Sequence, residues 1–195
     1  QQFEWIIADG LSTDDTIEKI GDIKSFNVIV SSQKDFGIYD ALNRAIQISN
    51  ADYYLVIGSD DYLYPNAIEN FIKCIENSNA DLIVAQVETK NGFIKIKENK
   101  TWLYASHAYI TSHSVGTLIK KNLHNNFGYY SKIFPITADS LFIKQVCKAG
   151  MKRYVADFAS GFYSTDGISN KDILNTLTDG FKVQMATEKN KILQV

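Results

Sequence analysis

The sequence predicts an α/β fold: a mostly parallel sheet flanked by helices, with a smaller antiparallel region toward the C-terminus. Three observations carry this. Apolar β-branched runs alternate with amphipathic stretches over residues 1–90, an order that implies right-handed crossovers between parallel strands. The runs end in Asp- and Gly-containing turns. Beyond residue 90 the pattern changes to apolar/polar alternation around an Asn-Gly pair, a hairpin signal.

Phe3 to Ala8 reads as a short buried strand closed by Asp9-Gly10. Ser12-Thr13-Asp14-Asp15 supplies hydroxyl and carboxylate caps for a helix carrying Ile17 and Ile20. Asn27 to Val30 is a second strand, and "IYDALNRAIQI" places Ala41, Leu42, Ala45, Ile46 and Ile48 at helical spacing. Tyr53 to Ile57 is a third strand, Ala67 to Ile75 an amphipathic helix, and "ADLIVAQVE" a fourth strand. Then come the hairpin "NGFIKIKE", the segment "SVGTLIKKNL" and the helix "ADSLFIKQVCKAG", which stops at Gly150. "KRYVADFASGFYS" reads as a strand pair or an edge strand, and the tail from Lys171 is helical in character.

A chain of 195 residues suits one large domain or a tight pair of subdomains, and 45% hydrophobic residues suffice for a sizeable core. Twenty Lys+Arg against 22 Asp+Glu leave a net charge of −2, which argues against a general nucleic-acid binder. Cys74 and Cys147 lack a CxxC partner and are expected as buried or half-buried thiols in a reducing compartment, with no structural zinc. No run approaches the ~18–20 apolar residues of a membrane span, and no signal-peptide pattern opens the chain, so a cytoplasmic location is expected. The chain opens on Gln1-Gln2 without a Met, so a segment preceding it is expected.

Ligands of an open parallel sheet bind beyond the carboxyl ends of its strands. Asp9 ends one strand, the adjacent Asp60 and Asp61 follow another, and Asp35 lies in a loop before a helix. Asp and Gly also favour turns and caps, which would explain any one of these acids but explains the set less well. Two adjacent carboxylates call for a cation, and a hard ion such as Mg²⁺ or Mn²⁺ is commonly held by one or two carboxylates plus substrate phosphates. Gly58 and Ser59 leave room for a ligand to approach the backbone. The patterns GxxxxGK[ST] and GxGxxG are absent, which argues against a P-loop or dinucleotide fold.

The stretches "ADGLSTDDT", "DFGIYDALNRAI" and "GSDD" stand in order and resemble the nucleotide-sugar half of family 2 glycosyltransferases of the GT-A, Rossmann-like fold, as in bacterial polysaccharide synthesis. "SHSVGTLIKKNLHNNFGYYSKIFPITADSLFIKQVCKAG" is similar to that family's acceptor-side segment, and "FYSTDGIS" to its closing loop. The resemblance covers nearly the whole chain. It implies a single domain over 1–195, divided into a nucleotide-sugar half (1–90) and an acceptor half (91–195), with a first strand and helix missing ahead of "WIIADG". That gap would leave one side of the Phe3–Ala8 strand uncovered, and these residues alone weakly active or inactive. The resemblance also assigns roles. Asp9, Ser12, Asp35, Gly37 and Asp60 would bind the donor, Asp61 the Mg²⁺ or Mn²⁺, and Asp139 would be the catalytic base. His113, Gly167 and Ser169 would line the acceptor side. Ser114 stands where the family carries Gln, and Gln33 where many members carry Glu.

The chemistry implied is a single displacement. A carboxylate removes the proton of an acceptor hydroxyl, a contribution of about 10²–10⁴-fold, while a divalent cation offsets charge on the leaving nucleoside diphosphate. The donor would be a nucleotide sugar, a UDP-sugar by default. The acceptor would be a saccharide or a lipid-linked sugar, compatible with loose contact at the inner membrane face. Each assignment has a plainer alternative. Asp139 serves equally as a helix N-cap, and His113 as a hydrogen-bonded strand histidine. His107 and His124 carry no motif, and Trp102, Tyr104 and Tyr109 fit a core better than a sugar platform. For the whole chain, a nucleotidyltransferase or a non-catalytic sugar- or partner-binding module stays open.

Overall fold

The structure is a computed structural model that describes residues 3–23, 27–165, 167 and 171–190. The first strand, β1 (Trp5–Asp9), and β2 (Val28–Ser32) pair in parallel, with Trp5 opposite Val28 and Asp9 opposite Ser32. The crossover between them carries α1 (Thr16–Gly21). Helix α2 (Ile38–Ile48) turns Tyr39, Ala41, Asn43 and Ile46 inward, as its periodicity predicts. The apolar run at Tyr53 is extended only over β3 (Tyr53–Leu55), and a short β4 (Tyr62–Leu63), not foreseen, follows the Gly58–Asp61 turn. After α3 (Ala67–Ser78) comes β5 (Leu82–Thr89), the most deeply buried strand.

The hairpin signal at Asn91-Gly92 is realised in β5 and the two-residue β6 (Gly92–Phe93), where Thr89 pairs with Gly92. Short turns around α4 (Thr101–Tyr104) lead to β7 (Thr117–Lys120) and α5 (Leu123–Phe127). Helix α6 (Ala138–Lys148) ends at Gly150, whose φ of +79° suits glycine. Strand β8 (Arg153–Phe162) and α7 (Ile173–Thr187) complete the chain.

Two expectations are corrected. The larger sheet runs β3-β7-β5-β8-β4 with β6 appended to β5, and within it only β5 and β8 pair in parallel. The alternation of the first half does set direction: β3 and β5 both run opposite to β7 and so point the same way. However, β7, contributed by the second half, inserts between them. That partner lies beyond the reach of local periodicity. The segment "KRYVADFASGFYS" is likewise neither a pair nor an edge. It forms one ten-residue strand between β5 and β4.

The core lies between this sheet and α6, where Leu82, Val84, Ile119, Phe142, Ile143 and Val146 pack together. A second cluster joins Phe71 of α3 to Ile83 and Ala85. Cys74 and Cys147 are half-buried free thiols. Strand β1 pairs with β2 alone among the described residues. Its other side and β3 border a cleft of about 1920 Å³, lined there by Ile6, Ala8, Leu42, Ile46, Leu55 and Val56. No described helix is long and apolar enough to cross a membrane.

Candidate functional site

The turn after β3 is built on Gly58. The Asp61 amide donates to the Gly58 carbonyl at 3.1 Å, and the Gly58 amide donates to Asp61 Oδ2 at 3.1 Å. A Cβ on Gly58 would sit 2.7 Å from Asp61 Oδ2 and 3.2 Å from Asp60 Oδ1. Glycine therefore lets both carboxylates fold over one backbone position. Asp61 is also held by the Ser114 hydroxyl on Oδ2 and by the Ser164 amide on Oδ1 at 2.8 Å. Asp60 is exposed.

Ser114 was not recognised in the sequence as a partner of Asp61. It sits in a tight loop, Thr111 to Gly116. The Val115 amide donates to the Val56 carbonyl at 2.8 Å, and Val115 adopts φ +52° while fully buried. A β-branched residue in that region is strained by about 1–3 kcal/mol, and such strain clusters at functional sites. The loop presents two neighbouring side chains to two different acids: Ser114 to Asp61 and His113 to Asp139.

Asp139 lies in the first turn of α6, whose N-cap is Thr137 with no capping side-chain bond. Its carboxylate does not cap the helix. Oδ1 accepts from the Tyr39 hydroxyl at 2.6 Å, and Oδ2 faces His113 Nδ1 at 3.9 Å. The same Tyr39 hydroxyl lies 2.8 Å from the Ile136 carbonyl. It can donate to a bare carboxylate, or turn to Ile136 and accept from a protonated one. Burial pushes the Tyr39 hydroxyl pKa up, with the Asp139 charge adding to it. Burial also pushes His113 down, against the pull of Asp139.

Behind His113 runs a chain of buried groups. His113 Nε2 lies 2.7 Å from the Tyr130 hydroxyl, which lies 2.6 Å from the Tyr54 hydroxyl. Tyr54 lies 2.9 Å from His124 Nε2, and His124 Nδ1 lies 2.9 Å from the Gly128 carbonyl. None of Tyr54, Tyr130 and His124 carries a local motif. Their only trace in the sequence is polar-tipped aromatics set among core positions.

The remaining acids form a second group at the ends of β1 and β2. Asp9 is buried and accepts from the Leu11 and Ser12 amides and from the Ser12 and Ser32 hydroxyls. The hydrogen bonds from Ser12 and Ser32 pull its carboxyl down to about 2. Asp35 accepts from the Gly37 amide at 3.1 Å, and its Oδ2 lies 2.7 Å from where a Cβ on Gly10 would be. Arg44 of α2 ties this group together, donating through Nη2 to the carbonyls of Asp9 and Ser31, while its Nε and Nη1 find no hydrogen-bond partner. Asp60, Asp61, His113, Ser114, Asp139 and Gly167 line the one cleft; Asp9, Ser12, Asp35 and Gly37 do not. Ser169 lies outside the described residues.

Among the described residues no three His, Cys, Asp or Glu side chains converge as a metal cage. The Gly58 turn offers hard oxygen donors from two carboxylates instead. That fits Mg²⁺ or Mn²⁺ held jointly with phosphates, and not a closed zinc site.

The architecture, a mixed α/β sheet flanked by helices, is that of the GT-A fold. TarS residues 1–349 of S. aureus in complex with UDP-GlcNAc superpose with TM-score 0.75 at 16% identity, covering 99% of this chain and 60% of that one. A mannosyltransferase of Pyrobaculum calidifontis in complex with GDP-Man and Mn²⁺ superposes with TM-score 0.68 at 13% identity, covering 95% and 56%. The chain belongs to glycosyl transferase family 2, whose model matches residues 1–157. It is also 38% identical over 66 residues to a PGL/p-HBAD biosynthesis glycosyltransferase of Mycobacterium tuberculosis. That match covers 32% of this chain and a quarter (25%) of the relative.

Proposed function

We propose that this chain carries the donor site and base of an inverting, metal-assisted glycosyltransferase. It would move a sugar from a nucleoside-diphosphate donor to a hydroxyl of a saccharide or lipid-linked acceptor. One observation carries the reading: a carboxylate pair and a separate carboxylate free of any capping duty line the same cleft, joined through the adjacent Ser114 and His113. The acceptor hydroxyl gives its proton to Asp139. Its oxygen bonds the anomeric carbon as the bond to the diphosphate oxygen breaks, with inversion and no enzyme nucleophile. Asp61 would hold the Mg²⁺ or Mn²⁺, and Asp60 beside it would bind the donor. When bound, such an ion offsets the charge of the leaving diphosphate.

Asp9, Ser12, Asp35 and Gly37 would line the nucleoside, and Gly167 would line the acceptor side. A UDP-sugar is the first donor to test, in line with the ligands of TarS, and the GDP-Man of the Pyrobaculum enzyme makes GDP the second. Leu103, Leu177 and Phe181 line the same cleft as Asp139, which supports an acceptor with an apolar portion and a peripheral membrane contact.

Calorimetry and a transfer assay test this together. Asp61→Asn is expected to abolish metal-dependent nucleotide affinity. Asp139→Asn is expected to keep that affinity and lose transfer by about 10²–10⁴-fold. Equal metal-dependent binding by wild type and Asp61→Asn would remove the ligand assignment, and full transfer by Asp139→Asn the base.

A further inference from the structure

We propose that His113 is a positioning residue that turns an unprotonated Nδ1 toward Asp139, its tautomer dictated by the Tyr130–Tyr54–His124 chain behind it. The proposal rests on Asp139 being the base.

The direction of the chain follows from its far end. The Gly128 carbonyl can only accept, so His124 Nδ1, 2.9 Å away, carries a hydrogen. Burial disfavours a second proton on that ring, so Nε2 is an acceptor and the Tyr54 hydroxyl donates to it. Tyr54 has then spent its one proton, and its oxygen accepts from Tyr130 at 2.6 Å. Tyr130 has spent its own, and its oxygen accepts from His113 Nε2 at 2.7 Å. A neutral His113 protonated at Nε2 leaves Nδ1 bare, and that nitrogen faces Asp139 Oδ2 at 3.9 Å. Running the chain the other way would set a bare His124 Nδ1 against a carbonyl oxygen, two acceptors in contact in a buried site.

Packing removes the freedom to escape. Tyr130 and His124 are almost wholly buried. The His124 ring stacks on Phe142 at 4.4 Å, and Tyr130 meets His113 edge-on at 5.4 Å. The chain cannot conduct a proton away, because a carbonyl closes it. What it does is orient. While Asp139 is a carboxylate, its Oδ2 faces a lone pair. Once Asp139 has taken the acceptor proton, the bare His113 Nδ1, 3.9 Å away, is an acceptor toward which the new O–H can turn when the two groups close to hydrogen-bond distance. The proton is thereby turned away from the product oxygen, and it leaves to water from Asp139 after product release. Across the transfer the acceptor O–H bond breaks, the new C–O bond forms, and the diphosphate departs with the electrons of the old C–O bond.

The test is the histidine tautomer, read by long-range ¹H–¹⁵N correlation on the ¹⁵N-labelled protein. The expected result is a neutral His124 protonated at Nδ1 and a neutral His113 protonated at Nε2. Tyr130→Phe keeps the ring but removes the oxygen that His113 donates to. His113 should then shift to the Nδ1-protonated form, and kcat should fall roughly tenfold, the effect of one net hydrogen bond, with donor KM unchanged. Tyr54→Phe, one link further back, should loosen the same preference. An Nδ1-protonated His113 in the wild type overturns the proposal whatever the variants do, as does a Tyr130→Phe protein with wild-type tautomer and kcat. Failure of the underlying reading looks different: Asp139→Asn would retain transfer while the wild-type tautomers stayed as drawn.

Discussion

Ser114 and Asp9 show what single hydroxyls do to a carboxylate. Ser114 is one of three donors on Asp61, and hydrogen bonds to a charged acceptor contribute about 1.5–3 kcal/mol. Ser114→Ala should therefore weaken metal-dependent UDP binding by about 10–100-fold, the range for residues that orient a metal ligand, without unfolding the protein. Isothermal titration with Mn²⁺ and UDP checks it, and unchanged affinity would reduce Ser114 to a loop tie. Asp9 gives a pH prediction. Its carboxyl is lowered from 3.8 to about 2 by hydrogen bonds from Ser12 and Ser32. A depressed carboxyl stabilises the fold above its unfolded value, and that contribution is lost as pH falls through the folded one. The end of β1 should thus weaken between about pH 4 and pH 2. Carboxyl ¹³C titration should place Asp9 near 2 in wild type and closer to 3.8 in a Ser12→Ala, Ser32→Ala double variant. A wild-type value near 3.8 would contradict the geometry.

Elements differ in how visible they were. Helices α2 and α3 repeat their apolar residues every three to four positions, and each buries the face its sequence marks, whereas α6 buries Ser140 to Lys144 without a break. Strands were found by their apolar runs, but pairing was not, because the partner of β3 arrives some sixty residues later as β7. The candidate site divides the same way. Its acids stand in turns and could be read off the chain. The partners that give those acids their geometry, Ser114 and Tyr39 among them, are set by long-range packing. Gly161 marks where β8 becomes interior, since a Cβ there would overlap the Tyr62 carbonyl of β4. Gly161→Ala should cost about 1–3 kcal/mol, or about 2–4 °C of Tm per kcal/mol in a chain of this size. Calorimetric melting measures it, and an unchanged Tm would mean that β4 moves aside freely. Lys144 joins α6 to α7 through Glu188 at 2.6 Å and is wholly buried. The exposed Lys19–Asp15 pair belongs instead to the class that contributes only a few tenths of a kcal/mol.

At the scale of the molecule, the small sheet is tied to α2 and to the turn that follows it. Arg44 reaches from α2 to the carbonyls of Asp9 and Ser31, and Glu4 accepts from Ser49 and the Asn50 amide. The residues proposed to bind the donor and its metal are divided between the sheets: Asp9 and Asp35 ride on the small sheet, Asp60 and Asp61 on the large one. A nucleoside diphosphate that touches both groups has to tie the sheets together, and this separates a spanning site from one confined to the Gly58 turn. Saturating Mn²⁺ and UDP at about 100 times Kd should add about 2.7 kcal/mol of stability, hence roughly 5–10 °C in Tm. Amide exchange tells where that stability acts. With a spanning ligand, protection should rise in β1 and β2 as well as at residues 58–63 and 111–116, because opening the small sheet would then cost the ligand contacts too. Asp61→Asn should erase both effects. Protection that rises only around the Gly58 turn, with β1 and β2 exchanging as before, would remove Asp9, Ser12, Asp35 and Gly37 from the donor site while leaving the carboxylate pair in place.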